Sequence, residues 1–83
     1  MKDKPLITET VSKDGKHLIL VIYVEKESSA KDIDLDISET ALKLESANYE
    51  LKYKFKLLKV DPDSVGAKFS KIKKTLTLTI NKV

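Results

Sequence analysis

The sequence predicts an all-β domain, a seven-stranded antiparallel β-sandwich. Seven short segments are typical of β-strands, turn-forming residues separate them at short intervals, and hardly any stretch is typical of a helix. A chain of 83 residues buries roughly 60 to 65 per cent of its unfolded surface, which is enough for one small core. We therefore expect residues 1–83 to form a single domain.

The N-terminal half begins with a hairpin. LITETV (6–11) is expected to form the first strand, KDGK (13–16) a tight turn with Gly15 at positive φ, and HLILVIYV (17–24) the second strand. EKESSAK (25–31) is expected to be a polar loop. The segments DIDLDIS (32–38) and ALKLE (41–45) follow as strands three and four.

Three aspartates, Asp32, Asp34 and Asp36, occur at every second position of DIDLDIS. A calcium-binding loop of the EF-hand type starting at Asp32 needs glycine at its sixth position and a carboxylate at its twelfth. Ile37 and Lys43 stand there instead. The pattern therefore favours a strand whose aspartates face water and discourage pairing with another chain.

The stretch from Glu39 to Leu58 is rich in helix-forming residues, but its apolar positions fall on two opposite sides of a helix. As a strand, Tyr49 to Leu57 alternates without error, so we predict the fifth strand there, after an ESAN turn. VDPDSVG (60–66) is expected to form a turn or a single helical turn around Pro62. AKFSK (67–71) and TLTLTI (75–80) complete the seven strands.

The composition excludes several classes of function. The chain lacks cysteine, which excludes disulfides and thiolate chemistry. Its longest apolar run, Leu18 to Val24, is far short of the roughly 20 residues needed to span a bilayer, and no signal-peptide pattern precedes it. We expect a soluble protein of the cytoplasm and nucleus that has no membrane partner and needs no metal or other cofactor.

Catalysis and nucleic-acid binding have little support. The single histidine, His17, begins an apolar strand and belongs to no recognisable catalytic motif, so we expect no enzyme activity. All sixteen basic residues are lysine, and arginine is the residue best suited to reading bases. In the lysine ladder of residues 52–59, alternation puts the aromatic residues on the opposite side from the lysines, unlike a stacking platform.

The second strand is apolar on both sides, although a strand of a two-layer sandwich has only one side facing the core. Because the even-numbered residues 18–24 are wholly aliphatic, we assign them to the core. The outward set then comprises His17, Ile19, Val21 and Tyr23. If the last strand is their neighbour, its outward set is Thr75, Thr77 and Thr79. Either the N-terminus or loops of the chain cover this surface, or another polypeptide docks on it.

Three segments together resemble a CS domain: KDIDLDISETALKLE, YELKYKF and VDPDSVGAKFSKIKKTLTLTI. The resemblance extends from about Leu6 to Ile80. It implies the β-sandwich shared by cochaperones of the ninety-kilodalton heat-shock protein and, more distantly, by the α-crystallin-like small heat-shock proteins. Within the CS group, a chain that ends just after its last strand is similar to the C-terminal CS domain of PIH-type proteins.

That resemblance implies an adaptor, the C-terminal domain of a longer protein, that binds the C-terminal tail of a small tetratricopeptide (TPR) cochaperone. It would connect heat-shock protein 90 and RuvB-like ATPases, indirectly, to box C/D ribonucleoprotein assembly and rRNA processing. The phosphopeptide-binding PIH domain of the family has no counterpart in these residues. By similarity to Sgt-type domains, the partner-binding residues are expected to include Ile19, Val21, Tyr23, Thr75 and Thr77, and alternation adds Thr79. Near the turn after the sixth strand, acidic residues of the tail could be attracted by Lys68, Lys71, Lys73 and Lys74.

Departures from the wider group also matter. The chain lacks the acidic tail and tryptophan of the small acidic cochaperone, and the arginine and self-assembly motif of small heat-shock proteins. These differences argue against direct chaperone binding and against an oligomeric holdase. Two alternatives to the adaptor remain open: a nonspecific nucleic-acid-binding β-domain using the lysine-rich side, and a holdase using the apolar side.

Overall fold

The computed structural model describes residues 2–27, 30–57 and 59–83. Ser28 and Ser29 of the predicted EKESSAK loop lie outside the described residues. Within the described ranges the chain forms seven strands and two short 3-10 helices, Ala30–Asp32 and Pro62–Ser64. The strands are β1 (Leu6–Val11), β2 (His17–Tyr23), β3 (Asp34–Ile37), β4 (Ala41–Glu45), β5 (Glu50–Lys54), β6 (Gly66–Ser70) and β7 (Thr75–Asn81).

The strands form two antiparallel sheets. One has the order β1-β2-β7-β6 and the other the order β3-β4-β5. The predicted seven-stranded antiparallel sandwich is therefore confirmed. No helix among the described residues is long and apolar enough to cross a membrane.

The core lies between the sheets and is built mainly from β2, β7 and β4. The even-numbered residues of β2, together with Val24, have no exposed surface, which confirms their assignment to the core. They pair in register with the even-numbered residues of β7, which are equally buried. Leu42 and Leu44 of β4 complete the centre of the core from the opposite sheet.

The prediction that residues 32–38 form one strand is wrong at its start. Asp32 belongs to the 3-10 helix Ala30–Asp32, and β3 begins at Asp34. Asp34 and Asp36 are exposed, whereas Leu35 and Ile37 are half-buried against the core. The interpretation of the aspartates as a solvated side therefore holds for the two that lie on the strand.

The fifth strand is shorter than the predicted Tyr49 to Leu57, because β5 ends at Lys54. Beyond it, the amides of Lys56 and Leu57 each donate to Oε2 of Glu9 at 2.9 Å. Glu9 lies on β1 of the other sheet, so this carboxylate draws the chain out of β5 and joins the two sheets. The apolar and polar alternation of residues 49–57 could not reveal that Glu9, far away in the sequence, accepts these hydrogen bonds.

Glu9 also accepts a hydrogen bond from the Tyr53 hydroxyl, at 2.5 Å. This hydrogen bond, together with burial and the negative charge of Glu9, raises the pKa of Tyr53 to about 12 from an ordinary value of 10.0. Because the folded pKa exceeds the unfolded one, the resulting stabilisation is complete below pH 10 and is lost as the pH rises to about 12.

We expect the stability advantage of the wild type over Tyr53→Phe to shrink between pH 10 and about 12 in urea titrations. A constant difference between the two proteins would contradict this assignment.

A buried carboxylate, that of Glu27, fixes the turn between β4 and β5. Glu27 is only 5% exposed and accepts hydrogen bonds from Ser46 Oγ at 3.0 Å and Asn48 Nδ2 at 2.9 Å. Ser46 Oγ in turn accepts from the backbone amide of Tyr49 at 3.1 Å. The N-terminal segment runs beside this turn, where Asp3 forms a parallel bridge with Tyr49.

Candidate functional site: the outer face of the four-stranded sheet

The site begins with β2, whose outward side carries consecutive apolar residues, unlike that of any other strand in the described part of the chain. Ile19 and Val21 are half-buried, and Tyr23 is 40% exposed. They point away from the core because successive side chains of a strand alternate between its two sides. We call the side of the β1-β2-β7-β6 sheet that faces away from the core the outer face.

The register of the strands arranges the residues of the outer face in three rows that run across the sheet. Each row takes one residue from each strand, in the order β1, β2, β7, β6. The rows are Thr10, Ile19, Thr79, Gly66; then Thr8, Val21, Thr77, Lys68; and then Leu6, Tyr23, Thr75, Ser70. The predicted neighbours Ile19, Val21, Tyr23, Thr75, Thr77 and Thr79 therefore do lie side by side.

Thr75 differs from the expectation of an exposed residue. It is 7% exposed, although it stands in the same row as Tyr23 and Ser70. The turn of residues 71–74 begins beside it, and Val24 donates its amide to the carbonyl of Lys74 at 2.9 Å. Thr75 thus forms part of the floor of the outer face and offers little surface to a partner.

A groove of about 850 Å³ crosses the outer face. Its lining residues come from β2, β7, β6 and the following turn: Val21, Tyr23, Lys68, Phe69, Ser70, Lys73, Thr75 and Thr77. The groove therefore combines an apolar and threonine-rich floor with lysines along the side nearest β6. An extended polypeptide with apolar anchors and acidic residues has the matching chemistry.

The turn between β6 and β7 carries the other predicted cations, Lys71, Lys73 and Lys74. Lys71 is exposed there, but Lys73 and not Lys71 lines the groove. Ile72, between them, is 95% exposed. Leu6, in the row of Tyr23, is 75% exposed and adds apolar surface at the same end of the sheet.

Sequence reasoning did not include Leu6, Ser70 or Ile72 in the site. Leu6 could have been found, because pairing LITETV with HLILVIYV across the KDGK turn puts it opposite Tyr23. Ser70 and Ile72 depend on the order of strands in the sheet. That order brings β6 next to β7 and places the turn beside the groove.

The outward side of the other sheet is chemically different. Charged side chains occupy nearly every position: Asp34, Asp36, Lys43, Glu45, Glu50, Lys52 and Lys54. The aromatic rings that follow these lysines, Tyr53 and Phe55, pack against the core with their centroids 6.4 Å apart. Because the rings and the lysines lie on opposite sides of the strand, this arrangement does not make a base-stacking platform.

His17 is the first residue of β2, next to the hairpin turn. Its Nδ1 lies 3.6 Å from Oδ1 of Asp14, while the Ser12 hydroxyl donates directly to that carboxylate at 2.5 Å. The hydrogen bonds from Ser12 and from the Lys16 amide lower the pKa of Asp14 below its ordinary value. A catalytic triad needs the imidazole between the hydroxyl and the carboxylate, and that order is not found here. The described residues also contain no cluster of histidine and acidic side chains that could hold a metal ion.

Fold and site together define a small β-sandwich with one apolar, lysine-bordered outer face, the architecture of a protein-interaction domain. The family model described as the PIH1 CS-like domain matches residues 8–82. The chain therefore belongs to the PIH1 CS-like family, which the resemblance in the sequence had indicated. CS-like domains are in general non-catalytic interaction domains. A search of curated proteins found no match.

Proposed function

We propose that this domain is an adaptor that binds an extended segment of a partner protein on its outer face. The observation that carries the proposal is the outward side of β2, a central strand of the sheet. Its side chains there are the apolar Ile19, Val21 and Tyr23. When apolar side chains of a partner cover this part of β2, the free energy of association becomes more favourable by roughly 25 cal/mol per Å² of apolar surface removed from water.

The segment we propose is the C-terminal tail of a small TPR cochaperone. Family membership makes this class of partner the first to test, and the chemistry of the groove fits a tail with apolar anchors and acidic residues. Lys68 and Lys73 line the groove, and Lys71 stands in the adjoining turn. Through the tail, the domain would be connected indirectly to heat-shock protein 90 and RuvB-like ATPases in box C/D ribonucleoprotein assembly, in the cytoplasm and nucleus.

An amide-shift titration of the labelled domain with the TPR cochaperone, and separately with its isolated C-terminal tail, tests this proposal. We expect saturable shifts with the tail alone, centred on β2 and β7. The shifts should persist at moderate salt, because apolar burial is screened far less than contacts between exposed charges. Saturating tail should also raise the melting temperature of the domain, because a ligand that binds only the folded state stabilises it.

The alternatives give different results in the same titration. Nonspecific nucleic-acid binding predicts shifts at lysines 52–59 with DNA or RNA and an affinity that falls steeply with salt. A holdase predicts suppression of client aggregation without a fixed stoichiometry. Shifts confined to lysines 52–59, or none with the tail, would overturn the adaptor proposal.

A further inference from the structure

We propose that the outward side of the β3-β4-β5 sheet binds a short segment of a partner protein that is acidic at one end and basic at the other. This surface lies on the opposite side of the sandwich from the outer face. The inference therefore goes beyond the proposed function and does not depend on it. The arrangement of charges along the strands, and a hollow beside three lysines, carry it.

The charges on this side of the sheet are separated by sign. Register places Asp34 opposite Glu45, and Glu45 opposite Glu50, so acidic residues form one row across the three strands. In the next outward row Lys43 stands opposite Lys52, and Lys54 follows on β5. We call the first group the acidic row (Asp34, Glu45 and Glu50) and the second group the lysine cluster (Lys43, Lys52 and Lys54).

The lysines of the cluster repel each other. Like charges that stand directly opposite in adjacent strands destabilise a sheet, and Lys43 and Lys52 are such a pair. Within the described residues, no carboxylate forms an ion pair with any lysine of the cluster, whereas Glu45 of the acidic row is paired with Lys2 at 3.6 Å. The lysine cluster therefore presents exposed positive charges whose repulsion a bound anion would relieve.

The three lysines line a hollow of about 460 Å³. Ala41 stands opposite Lys54 and contributes only a methyl group, which leaves room beside the longer side chains. Leu42 and Tyr53 add apolar surface, and opposite charges attract more strongly where apolar groups exclude water. Asp36 lines the hollow from β3, so an anion is held closest to β5. The hollow therefore suits the carboxylates of acidic side chains.

The acidic row favours a protein segment over an extended polyanion. Glu50 and Lys54 stand about 14 Å apart along β5, at about 3.4 Å per residue. A nucleic-acid strand or an anionic membrane presents negative charge over a longer distance, and part of that charge would meet the acidic row. A polypeptide can change the sign of its charge within a few residues. Its acidic end would lie over the lysine cluster and its basic end over the acidic row.

The size of the surface favours a short segment over a second copy of this chain. Three strands about 4.8 Å apart and about 14 Å of strand length give a face of roughly 200 Å², whereas a stable protein interface needs roughly 800 Å² on each partner. A second copy would offer complementary charges, but this face alone is too small to hold it. An extended peptide matches the dimensions of the face.

Amide-shift titrations of the labelled domain with two synthetic peptides test the inference. The charge-separated peptide has glutamates in its first half and lysines in its second, and the alternating peptide has the same composition in alternating order. We expect the charge-separated peptide to give saturable shifts at the lysine cluster and the acidic row, and the alternating peptide to bind at least about fivefold more weakly. Equal affinities, or no saturable shifts with the charge-separated peptide, would overturn the inference.

Lys52→Glu reverses the charge at the centre of the lysine cluster and should weaken binding of the charge-separated peptide by at least about tenfold. The matched control, Lys13→Glu, makes the same change of charge in the turn between β1 and β2 and should stay within about twofold. Tighter binding of oligothymidylate or of phosphatidylserine vesicles at the cluster would assign it to an extended polyanion. Shifts at the cluster that grow with protein concentration, without peptide, would assign it to a second copy. Either result refutes the inference.

The repulsion within the cluster gives a readout that needs no ligand. Lys52→Glu replaces a like-charge pair by an opposite pair with Lys43, so at low salt this variant should unfold at a higher urea concentration than Lys13→Glu. The difference should shrink as salt screens the exposed charges. Equal urea midpoints of the two folded variants at low salt would show that the lysines do not repel each other measurably, and would remove the basis of the inference.

Discussion

Val21→Glu is expected to weaken binding of the TPR cochaperone tail by roughly ten- to thirtyfold, the effect of losing a central interface anchor. Val21 occupies the middle row of the outer face, between Thr8 and Thr77, and lines the groove. A partner segment lying on this row would bury the new carboxylate without a countercharge directly beside it. Isothermal titration calorimetry at moderate salt measures the change.

The matched control is Lys43→Gln, which alters the net charge by the same amount on the outward side of the other sheet. It should leave the affinity unchanged, because Lys43 lies on β4, in the sheet opposite the groove. Amide spectra of both variants establish that the fold is retained. If Val21→Glu is folded and binds the tail like the wild type, the outer face is not the docking surface.

Glu9→Ala is expected to lower the free energy of unfolding by about 2 to 3 kcal/mol, because hydrogen bonds to a charged acceptor contribute more than neutral ones. The carboxylate holds the Tyr53 hydroxyl and the amides of Lys56 and Leu57. Removing it leaves these donors without their acceptor and separates β1 from the end of β5. Urea denaturation measures the loss.

Glu50→Ala is the control for the loss of one negative charge. Glu50 is exposed on the outward side of β5, so its replacement should change stability by no more than about 0.5 kcal/mol. Glu9→Gln, which keeps an acceptor oxygen but not the charge, should fall between the wild type and Glu9→Ala. Equal stabilities of the Glu9→Ala and Glu50→Ala proteins would show that the carboxylate does not hold the two sheets together.

Which residues face the core could be predicted from the sequence, because alternation is a local property of a strand. The even-numbered set of β2 is wholly aliphatic, whereas the odd-numbered set has a polar group at each end, in His17 and Tyr23, and burial follows that division. Turns were also predictable where chemistry is local. Gly15 adopts φ 73° as expected, and Asp61 caps the short helix that begins at Pro62.

The extent of β5 and the neighbours of β6 were decided by the tertiary structure, since they depend on contacts between residues distant in the chain. Glu9 and Leu57 are separated by 48 positions, and Glu27 and Ser46 by 19, so no local pattern joins them. In the same way, the order β1-β2-β7-β6 places Lys68 opposite Thr77 and in the row of Val21. Alternation along each strand predicts which apolar and threonine residues lie on the outer face. Only the order of the strands brings them together in one groove with lysines along its border, and leaves β6 at the edge of the sheet.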